Sequence, residues 1–522
     1  MKKHIFTKTL ASGALVLALI LGACTDLEVP NLTELPDDSA QLLSDPANAA
    51  QFLAAGYAPL RNMLDQGNWY GMVEHVTDEM QGPTRGTDWD DNGIWRTLHT
   101  HSWDPFHAFI QNAWNTLSEG QAKCVFSLTT IQQFPDAGVP DKAQYLLELR
   151  YLRAFYIFCT VDMFGQVPYR EVGEIDFKLP PSKIMSSAEA TEWLITELNA
   201  IIPQMKDKGE IPYSRATKTA AQTLLAKVYL NSEAWGAGAK YNEAVTACND
   251  VINSGKYALN ADYFGIFKPD NSDRTSNADE SIFVATFEGN QGLNANIHQP
   301  MRTLHYNQTF GPGNTYSPWN GFTTIADFYN KWDQTDKRFK DDSWKAINGF
   351  NLGFLEGQQF KADGTPLNDR GGNPLIFTVE CPLNGANEAQ GVRVVKYAPD
   401  NNATDGSRSG NDFVIFRIGD VYLMRAEAAF RAGTGDRGQA DLDAVRSIRG
   451  VPSVTVSADA LLNEYGYELY WEGAHRRQAL IRFGKFNEAW TNKSASPEYR
   501  KLFSIPQTAI DANPNLKQNP GY

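Results

Sequence analysis

Apolar residues recur at helical spacing along several stretches of this chain, and the stretches come in pairs. The clearest pair is Ala220 to Leu230 followed by Tyr241 to Ile252. Leu224, Leu225, Val228 and Tyr229 share one face, and Ala244, Val245, Cys248, Val251 and Ile252 share its neighbour. Ser254-Gly255 then supplies a C-terminal stop. The arrangement recurs where Tyr422, Leu423, Ala426, Ala428 and Ala429 precede Gly433 to Gly438, and Ala440, Leu442, Ala444, Val445 and Ile448 follow. Four further helices are predicted at Ala47 to Leu64, His107 to Ile131, Lys142 to Phe164 and Ser187 to Met205, the last opened by the capping box Ser186-x-x-Glu189. About eight helices in four pairs, with alanines that permit close approach, follow the logic of tetratricopeptide-type repeats. An irregular all-helical bundle would have the same core faces.

Between the helices the composition changes. Thr77 to Asp104 is rich in Gly, Asp and Trp, and Asn260 to Asp412 is rich in Gly, Asn, Asp and aromatics with little helical period. Both read as long loops with short strands, such as Ser281 to Phe287 and Val392 to Tyr397. Loops of this length inside a globular chain are functional or disordered, and their tryptophans argue against disorder.

The first residues carry a different pattern. Lys2, Lys3 and Lys8 precede an apolar run from Ala14 to Leu21, and Leu21-Gly22-Ala23-Cys24 closes it. A basic start, a short apolar core and small residues before the cut mark an export signal, and the core is too short to span a bilayer comfortably. A leucine, two small residues and a cysteine form the lipidation site of bacterial lipoproteins, so Cys24 is expected to become the acylated N-terminus. Each buried acyl methylene contributes about 0.8 kcal/mol, which holds a domain to a membrane. Thr25 to Ser39 is acidic and interrupted by Pro30 and Pro36, and reads as a flexible tether.

Charge narrows the partners. The 522-residue chain carries a formal −14, and loss of the three leader lysines takes it to −17. Nucleic acid is an unsuitable partner, and anionic lipid headgroups offer this body no attraction. Cys124, Cys159, Cys248 and Cys381 are widely spaced without a C-x-x-C, and read as buried thiols with room for one disulfide. His99, His101 and His107 lack metal-site spacing and read as structural. No cofactor or metal motif is present in the sequence.

Five stretches, in order behind the lipidation site, carry a resemblance. They are YLLELRYLRAFYIFCTVDMFGQVPY (Tyr145 to Tyr169), SRATKTAAQTLLAKVYLN (Ser214 to Asn231), FRIGDVYLMRAEAAFRAG (Phe416 to Gly433), YELYWEGAHRRQALIRFGKF (Tyr467 to Phe486) and LFSIPQTAIDANPNLKQNPGY (Leu502 to Tyr522). Together they resemble the SusD/RagB-like nutrient-binding lipoproteins of the Bacteroidota outer membrane, nearly end to end. One departure is His475-Arg476-Arg477-Gln478-Ala479, where the family commonly has an acidic residue near the second arginine; it reads as a scaffold variation. The resemblance implies a mainly α, SusD-like fold with four tetratricopeptide-like helix pairs as scaffold and an irregular loop-rich lobe with short β-strands. It implies a leader at 1–23, a tether at 24–39 and one domain at 40–522. Within that domain the scaffold is expected at about 45–65, 107–254 and 413–450, ligand-facing loops at about 66–106 and 260–412, and a C-terminal region at 451–522. The implied role is a surface-exposed outer membrane lipoprotein that captures oligosaccharides, or in some branches peptides, for a SusC-like TonB-dependent transporter.

A glycan site needs flat aromatics for the apolar faces of sugar rings and planar polar groups for their hydroxyls. The Asp78 to Trp103 segment supplies Asp78, Arg85, Asp88, Trp89, Asn92 and Trp95, with Trp89, Asp78 and Arg85 leading. Trp95 and Trp103 have a competing reading as anchors of the loop, the favoured one for Trp103. The Gly311 to Phe322 segment adds Tyr316, Trp319 and Asn320, with His305 and Tyr306 as weaker neighbours, although its PWNGF piece reads equally as a structural turn that closes the lobe. Trp471, Arg476 and Arg477 are expected in the core. An enzyme reading finds no support: a glycoside hydrolase needs two carboxylates at a set separation and nothing marks such a pair, nor is there G-x-S-x-G, H-E-x-x-H or a phosphate loop. A pure protein-interaction scaffold is the third reading.

Overall fold

The computed structural model describes residues 45–176, 179–271, 279–287, 299–311, 313, 315–403 and 409–522. The leader, Cys24 and the tether lie outside them. Helices form where the apolar period is sustained: α1 (Asn48–Met63), α2 (Ala108–Gln133), α3 (Lys142–Phe164), α4 (Ser187–Ile201), α5 (Lys218–Asn231), α6 (Tyr241–Asn253), α7 (Ile418–Ala432) and α8 (Gln439–Ile448). Their ends follow local chemistry. Ser186 and Glu189 close the capping box at α4, with Ser186 N–H donating to Glu189 Oε2 at 2.8 Å. The Thr217 hydroxyl accepts from Ala220 N–H at the start of α5. Gly165 and Gly433 stop α3 and α7 in the left-handed region, which costs glycine nothing. The fourth helix stops short of the expected Met205, because Pro203 has no N–H to donate and the chain tightens into a 3₁₀ turn over Ile202–Gln204.

The α2 to α8 helices pack in chain order, each against the next, with α6 lying on both α5 and α7. The expected pairs therefore run together into one array, and the loop-rich segment is inserted between α6 and α7. Two glycines permit close approaches between helices. A Cβ on Gly56 of α1 would lie 2.5 Å from Leu149 of α3, and one on Gly120 of α2 would lie 2.7 Å from the Tyr156 ring. Tyr156 uses that space to donate its hydroxyl to the Gly56 carbonyl. Cys124, Cys159, Cys248 and Cys381 are buried and free.

The inserted lobe is held by short strands. Ser281–Ala285 pairs antiparallel with Phe413–Arg417, every residue of both being buried. The second of these, expected with the helical scaffold at 413–450, is a strand instead: a short apolar run, here Phe413–Phe416 ahead of Arg417, fits a strand buried on both faces as well as a helix. Lys340–Asp341, Leu352–Leu355 and Arg393–Val395 form a three-stranded sheet. The 66–106 segment, expected as loop, contains short helices at Trp69–His75 and Ile94–His99. Among the described residues no helix is long and apolar enough to cross a membrane.

Scaffold and inserted lobe meet at a buried charge cluster on the next helix, α9 (Ala458–Leu469). Glu468 accepts from Arg338 at 2.9 Å, Arg417 at 2.6 Å and Arg449 at 2.6 Å. Glu280 pairs with Arg417 and Arg449, Glu472 with Arg417 and Lys396, and Glu464 with Arg338 and Arg446. Burial opposes ionisation of Glu468, but Arg449 and Arg417 outweigh it and hold its carboxyl well below the usual range. Removing one partner of a buried set leaves uncompensated charge, which costs about 3–5 kcal/mol. Glu468→Gln is therefore expected to lower unfolding stability by that amount, read from the shift of the urea midpoint at constant slope; an unchanged midpoint contradicts the assignment.

Candidate functional site

The two aromatic loops singled out in the sequence meet in space. Gln81 and Thr323 exchange backbone hydrogen bonds at 2.9 and 3.0 Å, which aligns the loops. Arg85 and Asp88 then close a tight turn, with Gly86 at φ +61°. Trp89 follows at φ +61°, a left-handed conformation that is rare for a bulky residue and is found where surrounding contacts impose it. Those contacts are visible. The Trp89 indole N–H donates to the Trp319 carbonyl at 2.7 Å, and its ring lies on Gly321, where a Cβ would come within 2.5 Å. Phe322 supports it at 5.1 Å between ring centres.

Trp319 is the open ring of the pair, 36 % exposed, with the Arg302 guanidinium 4.0 Å from its centre. Tyr306 lies alongside: Ser317 donates to its carbonyl, and its hydroxyl donates to Asp88 Oδ2. Arg370 sits 3.9 Å over the Tyr306 ring and reaches Asp88 at 3.0 Å and Glu388. His305 meets Glu388 at 3.0 Å. The hydrogen bond from Tyr306 and the Arg370 charge hold Asp88 below its ordinary pKa. Burial raises that of Glu388, but bonds from the Arg370 N–H, His305 and the Arg370 side chain prevail and lower it. Two ionised carboxylates on one guanidinium provide no raised-pKa acid for glycosidic chemistry. The arrangement offers flat rings beside planar hydrogen-bonding groups.

Of the nine residues expected at the ligand surface, Asp88, Trp89 and Trp319 border this platform, and Asn92 is exposed on the following turn. Tyr316 is partly buried, its hydroxyl on the Ala403 carbonyl. Four others are corrected to supports beneath the surface. Asp78 is buried and takes both prongs of Arg476 at 2.7 Å. Trp95 is buried with its N–H on Asp91, and Asn320 is buried between Arg393 and the Glu388 carbonyl. Arg85 is buried with one nitrogen on the Asn387 carbonyl. Each lies in a loop whose polar residues are spent on fixing the loop itself. Trp103 and Trp471 are buried, and Arg477 pairs with Asp162 at 2.8 Å. His99, His101 and His107 are bonded to backbone carbonyls. Arg302, Arg370 and Glu388 carried no sequence signal, belonging to no motif or charge pattern. A recess of about 350 Å³ lies elsewhere, between Phe126, Arg153 and Ile175, and contains no platform residue.

Residues 266–522 match the SusD family model. The chain is 26 % identical to the starch-binding protein SusD of Bacteroides thetaiotaomicron over 489 residues, covering 83 % of this chain and 82 % of that one. Among solved structures, a SusD homolog from Bacteroides thetaiotaomicron superposes with a TM-score of 0.72 at 20 % identity, over 94 % of this chain and 99 % of its own. Surface glycan-binding protein A from the same organism, solved with laminarihexaose, gives 0.66 at 21 % identity, over 91 % and 99 %.

Below the platform His75 is packed between Trp95 and Phe322 at 4.9 and 4.4 Å, and neither ring nitrogen has a hydrogen-bond partner among the described residues. Burial drives its pKa down to about 3. The unfolded chain binds that proton near the ordinary value of about 6.5. Between the two values the unfolded state holds more protons, so stability present above about pH 6.5 is lost as pH falls, by about 2 kcal/mol at pH 5. His75→Phe is expected to shrink the drop in melting temperature between about pH 7 and pH 5; an unchanged drop contradicts it.

Proposed function

The chain belongs to the SusD family, and from that premise we propose that it is a cell-surface glycan-binding lipoprotein. It captures oligosaccharides on the Trp89 and Trp319 platform and passes them to a SusC-like TonB-dependent outer membrane transporter. The observation that supports this reading most is the joining of two loops more than two hundred residues apart by the Trp89 indole and Trp319 carbonyl, which fixes one ring while leaving the other open to solvent. A shallow ring surface edged by Asp88, Arg370 and Glu388 suits a sugar chain, whose C–H faces stack while its hydroxyls bond at the rim.

SusD-like proteins bind carbohydrate and are not catalytic, and this chain is a binding protein. The leader at 1–23, an acylated Cys24 and the acidic tether at 24–39 place that surface outside the outer membrane in this proposal. Starch and laminarihexaose, named with the relatives, make glucose oligosaccharides the first ligands to test.

Trp319→Ala and Trp89→Ala are each expected to weaken binding about tenfold or more, the loss of one aromatic stack. Affinity electrophoresis and calorimetry across a polysaccharide panel measure it. Unchanged affinity in both variants removes the assigned site, and release of reducing sugar by the purified protein contradicts the binding role.

A further inference from the structure

Tyr306 stands within reach of a chain lying on the two tryptophans. Its hydroxyl is bonded to Asp88, next in sequence to Trp89, and its carbonyl to Ser317, two residues before Trp319. Two extended residues span at most about 7 Å. Yet one face of the ring is covered. His305 meets it edge-on at 5.3 Å, and the Arg370 guanidinium lies 3.9 Å from its centre, at van der Waals contact.

Arg370 is held there by weak and reversible means. Its side chain is 50 % exposed, and its partners Asp88 and Glu388 are 38 % and 23 % exposed, the regime in which each ion pair adds little. It also sits at the tip of a two-stranded projection, built on pairing of Gly357–Gln358 with Ile376–Phe377 and on the Asn368–Pro374 bridge. The tip is the turn Asp369-Arg370-Gly371-Gly372, where Gly372 at φ +87° has open space around it. Lifting the guanidinium leaves the Tyr306 hydroxyl tethered to Asp88, so the ring keeps its place when uncovered.

Resting on the glycan-binding reading, we propose that Arg370 is a removable cover on Tyr306, which a glycan must lift before its chain can occupy the full length of the platform. Short ligands bind on the tryptophans and leave the cover closed. Long ones gain a third stacking surface, but only after breaking the Asp88 and Glu388 contacts. Arg370 thus lowers affinity for long chains and acts as a specificity-setting residue.

The test is calorimetry of the full mature chain with maltose and laminaribiose against maltohexaose and laminarihexaose, for the parent protein, Arg370→Ala and Trp319→Ala. Arg370→Ala is expected to tighten hexasaccharide binding on the order of tenfold, the combined worth of one cation–π contact and two partly exposed ion pairs, and so to raise the ratio of hexasaccharide to disaccharide affinity. Its melting temperature is expected to stay within a few degrees of the parent, since the guanidinium and its two carboxylate partners are partly solvated already. Hexasaccharide affinity that falls or stays the same in Arg370→Ala overturns the cover. If Trp319→Ala still weakens binding in that series, the glycan site itself stands. Failure of the parent protein to bind any of the four sugars, and any member of a wider polysaccharide panel, overturns both.

Discussion

The join between helical scaffold and inserted lobe depends on keeping charge ionised where water cannot reach it. Glu468 is enclosed by three guanidiniums, each from a different part of the chain: Arg338 from the inserted lobe, Arg417 from the end of a buried strand and Arg449 from the end of α8. Glu280, Glu464 and Glu472 spread the same pairing outward to Arg446 and Lys396. Such a cluster is no more stabilising than well-packed hydrocarbon would be, because desolvation consumes most of the Coulombic gain. What it supplies is register. A helix array and a lobe of short strands have few large complementary faces, and a set of forked, directional bonds admits only one way of joining them.

The same device recurs under the platform on a smaller scale. Arg476 grips Asp78 at the root of the first aromatic loop, and Arg393 grips Asn320 at the root of the second. These bonds allow left-handed backbone at Trp89, Asp91, Asn92 and Asn320, positions that a loop anchored only by its ends would not sustain. Strain in the loops is thus balanced by satisfied polar groups one layer down. The surface rings inherit their positions from buried partners, and rigid placement is what a stacking site needs, since a wandering ring loses on ordering what it gains on contact.

This division explains what the sequence made legible. The helices were readable because their apolar period is a local property: α3 begins and ends where the pattern says, and α4 departs from it only where Pro203 intervenes. The meeting of the two aromatic loops was foreshadowed by Gly-rich surroundings that expose rings. The roles of their polar residues were not. Asp78 and Asp88 are ten residues apart in one loop and alike in composition, yet one is buried on Arg476 and the other is at the surface with Tyr306 and Arg370. That difference is set by residues 218 to 398 positions away. Glu388 and Arg370 stand in unremarkable turns for the same reason, and the strand at Phe413–Arg417 is specified by its partner rather than by its own five residues.

The platform's own electrostatics separate binding from catalysis. A glycosidase pushes two carboxyls apart in proton affinity so that one donates while the other stays charged. Here Asp88 and Glu388 share Arg370, and both are driven in the same direction, toward the ionised form. A ligand that meets them finds acceptors and a forked donor but no proton held in reserve. Stacking on an open tryptophan and hydrogen bonds at half-exposed groups give contacts that form and break readily, because water competes for each of them. Such reversibility suits the binding role proposed above, and it is the property that an active site would have to sacrifice.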